Sequence, residues 1–262
     1  MEEKKNRIEE LAEIVFTNSK NNLNEVNPKY DPTSEIDKFY YGILSRQVHL
    51  LADVTCLLRY GFHHYLSGVF IISRTLLDDF MHLHFVHSQP NSDKEIVALN
   101  ADAHGKNYKK ILELADLNET ELDGRFPYYP TAQMVQELKA KILADSNKSK
   151  YLKDKTLFKF HPFKNKRQII ESYLGEDINP DMVRIYFLWK HLSDYIHFSK
   201  FTYDFESEHH EDDTNLSIIE EVIIYSYKAS KICMEYFDSK YSTGFNSIKY
   251  FEEVEVEYLN KL

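Results

Sequence analysis

Gly68-Val-Phe-Ile-Ile-Ser-Arg-Thr-Leu-Leu-Asp-Asp-Phe-Met81 places one guanidinium in a helix whose apolar side chains cover nearly every face. An arginine cannot lose its proton, so Arg74 needs a partner wherever it leaves water. Asp78 lies one helical turn on and His82 one turn further, so cation, anion and imidazole share a row. A second mostly apolar stretch, Met182 to Phe198, carries its own polar line of Lys190, Ser193 and His197, which Tyr186 extends. The two lines are expected to face each other, with Arg74 and Asp78 as a buried ion pair. Helices apolar nearly all round belong at a centre, and 3–22, 92–116 and 216–240 have the charged faces of helices that wrap one. The predicted fold class is all-α, a multi-helix bundle with two central apolar helices wrapped by amphipathic helices.

Capping signals divide the chain. Ser34 with Asp37, Ser92 with Glu95, and Ser217 with Glu220 match a pattern in which the later carboxylate bonds back to the cap amide, and Asn179-Pro180 is a cap followed by a first-turn proline. They predict helices near 3–22, 34–60, 62–88, 92–116, 131–144, 164–174, 180–201, 216–240 and 246–259, with irregular connections over 117–130 and 145–163. Val254-Glu-Val-Glu-Tyr258 alternates like a strand but has no evident partner strand, so it is read as helix. Seven Gly and seven Pro make about 5% of the chain against a usual share of roughly 12%, which favours long helices.

Aromatic content of 14% within 43% hydrophobic residues excludes general disorder, because enough apolar surface is present to offset the entropy of ordering. The charged opening Met1-Glu-Glu-Lys-Lys-Asn-Arg and the lack of any eighteen-residue apolar run lead to a cytoplasmic expectation, with no membrane partner. Cys56 and Cys233 sit in apolar helical patterns and are expected to be reduced and buried. The chain reads as one domain, 1–262, with a basic loop or arm near 145–167. Its net charge of −10 is uneven: residues 139–167 hold ten Lys or Arg against Asp145 and Asp154, so this segment is +8 and the remainder −18.

Two places carry candidate chemistry. Arg74, Asp78, Ser193 and His197 are the candidate catalytic residues: burial would shift a carboxylate or imidazole pKa toward acid–base use, while the same groups in a sealed centre would only set helix register. The basic segment interleaves Lys150, Lys153, Lys155, Phe160, Lys164, Lys166 and Arg167, cations for phosphates with rings able to stack on bases, and is the candidate contact for RNA. Its aromatics equally suit anchoring a lysine-rich loop to the body. A metal held by Asp78, His82, His104 and His197 is the lesser alternative, and neither a metal nor a cofactor is expected. His209-His210 with Glu211, Asp212 and Asp213 reads as an exposed acidic loop. Gly-rich phosphate loops, Gly-x-Ser-x-Gly elbows and His-Glu-x-x-His helices are absent from the sequence, which removes the common nucleotide, hydrolase and zinc-protease readings.

Ile71-Ile-Ser-Arg-Thr-Leu-Leu-Asp78 followed by Trp189-Lys-His-Leu-Ser-Asp-Tyr-Ile-His197 resembles a bacterial all-helical family of unknown function, with an Arg, an acidic residue four on, and a Leu-Ser-x-x-x-His signature. The resemblance covers roughly 42–205 and maps onto Arg74, Asp78, Ser193 and His197. A looser resemblance is to the helical HEPN ribonucleases, whose signature is an Arg followed after four to six residues by a His. Arg59 with His64 and Arg184 with His191 have that spacing, where roughly one match is expected by chance. Tyr60 and Ile185 stand where that class usually has a polar residue. The chain is expected to be a helical interaction or regulatory protein with an unknown protein partner or acting as a homo-oligomer, and the family resemblance implies a stress or phage-defence setting. The alternative is a metal-independent ribonuclease or RNA-binding protein using the Arg/His centre.

Overall fold

Ser34 starts the longest helix of the chain: its hydroxyl accepts the Asp37 amide and caps α2, Glu35–His87. In a computed structural model that describes residues 2–174, 178–194 and 213–241, α2 is one helical segment of 53 residues. A straight helix of that length would span about 80 Å. Yet the Tyr40 hydroxyl lies 3.0 Å from His87 Nδ1, Gln47 Nε2 donates to the Leu76 carbonyl at 3.4 Å, and Arg46 Nε is 3.3 Å from Asp79. These cross-pairs require α2 to double back between Leu57 and Gly68, so its arms are the two helices expected over 34–60 and 62–88. Gly68 sits where the arms come close: a Cβ there would lie 3.4 Å from Leu57 Cδ1.

Helix accounts for 79% of the described residues, and the all-helical bundle holds. The chain divides into two compact units, one built from residues up to Ser88 and from Lys166 onward, the other from Gln89–Asn165. The first unit packs α1 (Glu2–Val26), both arms of α2, α6 (Lys166–Glu171), α7 (Pro180–Ser193) and α8 (Asp213–Tyr241). Along α1 the buried positions Ile8, Leu11, Ala12, Val15, Ser19, Asn22 and Val26 recur every three or four residues, the stripe of a helix with one face inward. The second arm of α2 buries Val69, Phe70, Leu76, Leu77, Phe80, Met81, Leu83, Phe85 and Val86, as a central helix should.

The structure adds detail to the expected centre. On α8, Ile218, Ile219, Glu220, Val222, Ile223, Ile224, Tyr225, Ser226 and Tyr227 are all buried, so this helix is enclosed on most sides. On α7 only Met182, Ile185, Leu188 and Leu192 are, and Phe187 is 60% exposed. Ser217 does not cap α8, which already includes Asp213; its hydroxyl donates to the Asp213 carbonyl within the helix. Asn179 caps α7 as expected, through the Met182 amide. The last described turns of α8 are tied to Asp37: the Tyr236 hydroxyl donates to its carboxylate at 2.6 Å, Lys240 and Tyr241 bind the same group, and the Asp31 amide donates at 2.8 Å. Burial raises the Asp37 pKa, but these donors together outweigh it and hold the carboxyl at about 2.

The second unit contains α3 (Ser92–Thr120), α4 (Ala132–Ala144), α5 (Ser146–Ser149) and an antiparallel hairpin of β1 (Leu152–Asp154) and β2 (Lys159–Phe160). Its first cap is Asn91, which accepts the Lys94 amide, one residue before the expected Ser92. Strands of three and two residues are too short for period-two alternation to mark, and the 145–163 segment reads as irregular for that reason. Asp154 closes the hairpin loop by accepting the Thr156 and Leu157 amides at 2.9 Å each, with Phe158 in the left-handed region at φ 51°. Gly105 on α3 admits the hairpin: a Cβ there would stand 3.1 Å from Phe160 Cβ.

Cys233 is buried, but Cys56 is exposed, because it lies beside rather than on the inward row Leu51, Val54, Leu58. No helix among the described residues is long and apolar enough to cross a membrane. The helix expected over 246–259, with the alternating Val254–Tyr258, lies outside the described residues, as do the end of 180–201 and the acidic His209–His210 loop.

Candidate functional sites

The two polar lines meet, but not in the pairing expected of them. Arg74 Nε donates to Ser193 Oγ at 2.8 Å, and Ser193 donates in turn to the Trp189 carbonyl one helical turn back at 2.7 Å. The Arg74 guanidinium lies 4.9 Å from the centre of the Trp189 ring, and Lys166 Nζ lies over the same ring at 4.9 Å. Lys166 also pairs with Asp78 at 2.6 Å. Arg74 and Asp78 therefore form no pair. Four residues apart on one helix, each finds a shorter route to a neighbouring element: Arg74 to α7, Asp78 to α6. The result is a chain of contacts, Asp78 to Lys166 to Trp189 to Arg74 to Ser193, that joins α2, α6 and α7. His197 lies outside the described residues, so its place beside Ser193 is not defined.

The carboxylate that is deeply buried is the neighbour, Asp79, at 4% exposure. It occupies the inward row with Leu76, Leu83 and Val86, a spacing visible in the sequence, whereas Asp78 is turned about 100° away. Arg46 Nε on the first arm of α2 approaches Asp79 at 3.3 Å without hydrogen-bond geometry. Burial drives the Asp79 pKa up to about 7; Arg46, Gln47 and Lys166 oppose the rise and Asp78 adds to it. Gln47, which opposes that rise, is itself fully buried, and among the described residues neither its Oε1 nor the buried Ser73 hydroxyl has a partner. Cys233 feels Asp79 as well, after burial, and its thiol is pushed far above its ordinary range.

Of the two HEPN-type pairs, Arg59 with His64 cannot be followed, because the His64 side chain lies outside the described residues. Arg184 is clamped by Glu221 through Nε at 2.8 Å and Nη2 at 2.7 Å, and it sits over Phe187. Arg59 pairs with Glu13 at 2.8 Å. His191 stacks on Phe187, and burial lowers its pKa. Elsewhere His84 Nδ1 and the Ser88 hydroxyl each lie 2.9 Å from the Tyr173 hydroxyl, and burial of His84 lowers its pKa too. Among the described residues no group of three His, Cys, Asp or Glu side chains is placed to hold a metal.

The basic segment is divided between the units. Lys166 and Arg167 start α6 in the first, where Lys166 is committed to Asp78 and Trp189, and Arg167 Nε donates to Glu171 at 2.8 Å. Lys150, Lys153, Lys155 and Lys164 belong to the second unit and are exposed, as is Lys159 on β2. Phe160 packs against Gly105, and Phe158 lies 4.7 Å from Tyr108 and 5.5 Å from Phe160, with Lys139 Nζ 5.4 Å from its ring. The phenylalanines thus seat the hairpin on α3 and leave its lysines in water. Beside this seat is a cavity of about 170 Å³. Tyr108, Tyr151, Phe160, Leu138 and Ile142 form its walls, and the exposed His104, Asn107 and Lys148 stand at its mouth. The His104 and Tyr151 rings stack at 5.0 Å, and burial raises the Tyr108 pKa. The sequence carried no signal for this cavity, because His104, Tyr108, Tyr151 and Phe160 are spread over more than fifty positions.

A comparison with curated proteins and with solved structures finds no match. A family model does match, over residues 37–215, a span that holds nearly all of α2, the whole second unit and α7. With more than half of its length inside that model, the chain belongs to a family of unknown function, DUF5677.

Proposed function

We propose that this protein is a helical interaction module for single-stranded RNA, in which the second unit makes the contact and the first unit serves as scaffold. The observation that carries the reading is the hairpin: its phenylalanines are fixed on α3 while Lys150, Lys153, Lys155, Lys159 and Lys164 face water beside an aromatic-walled cavity. Clustered cations that follow a phosphate backbone, together with rings that receive bases, are the two components of sequence-tolerant single-strand binding. The polar centre supports a scaffold rather than a catalytic role, because Arg74, Asp78 and Lys166 are spent on one another's helices and on Trp189.

The test is fluorescence anisotropy with a labelled single-stranded RNA across a salt series. Affinity should fall steeply as salt rises, and removing Lys153, Lys155 and Lys159 together should reduce the log–log slope by about 2, near 0.7 per phosphate contact. Absence of binding at low salt would sink the proposal. Loss of intact RNA during the titration would instead favour a ribonuclease, and Arg74→Ala would then be the first variant to assay.

A further inference from the structure

The cavity of the second unit limits what can enter it. Ligand pockets for drug-sized molecules run from roughly 300 Å³ upward, whereas an apolar cavity of about 150 Å³ takes a benzene-sized ring. At about 170 Å³, this one has room for a single six-membered ring system and little more. Its interior is aromatic and aliphatic, through Tyr108, Tyr151, Phe160 and Ile142. Its exposed edge carries Asn107, whose amide offers a donor and an acceptor side by side, and Lys148, a cation. A flat ring with a mixed donor–acceptor edge and an attached anion is the chemistry of a pyrimidine nucleotide. A purine, with its second fused ring, would have to extend out of the mouth, with less of its face against the walls.

We propose that this cavity is a pyrimidine-base site: it accepts one uracil or cytosine, with Asn107 at the base edge and Lys148 toward the adjoining phosphate, and gives the module a preference for pyrimidine-bearing single strands. The proposal rests on the RNA reading above and adds a base class and a pocket to it. The lysines of the hairpin supply affinity without regard to sequence, and the cavity supplies the discrimination. Gly105 belongs to the device, because Phe160 packs so closely on α3 there that an added Cβ would stand 3.1 Å from Phe160 Cβ.

The experiment compares oligouridine with oligoadenosine of equal length, bound by the full-length protein, its Ile142→Phe variant and its Asn107→Ala variant. The wild type should bind oligouridine about tenfold more tightly. Ile142→Phe fills the cavity and should bring that ratio close to one by weakening oligouridine binding the more; circular dichroism reports whether it folds. Asn107→Ala changes an exposed residue and should shrink the ratio in any case. In parallel, uridine 5′-monophosphate is titrated into methyl-labelled wild type, where the Leu138 and Ile142 methyl resonances should shift. Equal affinity of the wild type for the two strands, or a ratio that survives in both variants, overturns the pyrimidine site while RNA binding stands. If neither strand binds, the RNA reading fails, and the monophosphate titration judges the cavity alone: unmoved methyl resonances overturn it as well.

Discussion

Arg74 is held by a hydroxyl and a ring rather than by a carboxylate, and that changes what its loss should do. Had it neutralised a buried Asp78, truncation would strand a charge at a cost of roughly 3–5 kcal/mol. With a hydrogen bond from a charged donor to Ser193 and a cation–π contact on a half-buried Trp189, Arg74→Ala should cost about 1–3 kcal/mol in denaturant unfolding. Double-mutant cycles check the partners: Arg74 with Ser193 should couple by about 1 kcal/mol, and Arg74 with Asp78 by close to nothing. A larger coupling to Asp78 would overturn the pairing described. The sequence was legible here as far as the meeting of two polar lines. What it could not convey was Lys166, placed by its surroundings in a basic stretch but delivered by the fold to Asp78, because a row on one helix says nothing about which other element arrives against it.

At the scale of elements, legibility followed length. α1, α3, α4 and α8 were readable from apolar spacing to within a few residues, since each presents several turns of pattern. The hairpin of β1 and β2 was not, being too short to show a period. Its docking makes a prediction about Gly105. In the interior of a helix, Gly→Ala usually gains roughly 0.5–1 kcal/mol. At Gly105 the new methyl would meet Phe160 Cβ at 3.1 Å and Cγ at 3.2 Å, tighter than ordinary contact. The two effects oppose, so Gly105→Ala should be near neutral, while Gly105→Val should lose about 1–3 kcal/mol by overpacking. The loss should be local. Hydrogen exchange should accelerate at the His161 amide, which donates to the Tyr151 carbonyl across the hairpin at 3.0 Å, and leave the α8 amides of the first unit unchanged. Faster exchange along α8 as well would mean that Phe160 is not what Gly105 accommodates.

For the whole molecule, two buried carboxylates act in opposite directions on stability. Asp37 has a folded pKa near 2, below its ordinary 3.8, so its contribution is present above 3.8 and is lost as pH falls toward 2. Asp79 has a folded pKa near 7, above its ordinary 3.8, so the folded state holds its proton where the unfolded chain has released it. Its cost is absent below about pH 4 and grows as pH rises to 7, by about 4 kcal/mol for a shift of three pKa units. Burial is the main cause, and Arg46 at 3.3 Å relieves it only in part. His84, whose pKa is lowered, adds stability as pH rises through the same window, so the wild-type curve alone does not isolate Asp79. Asp79→Asn does, because it keeps the shape and removes the proton. Melting temperatures of the two proteins should nearly coincide at pH 4 and diverge steadily toward pH 7.5, with the variant the more stable at the upper end. Parallel curves would mean that Arg46 neutralises Asp79 fully and that the centre carries a satisfied ion pair at neutral pH.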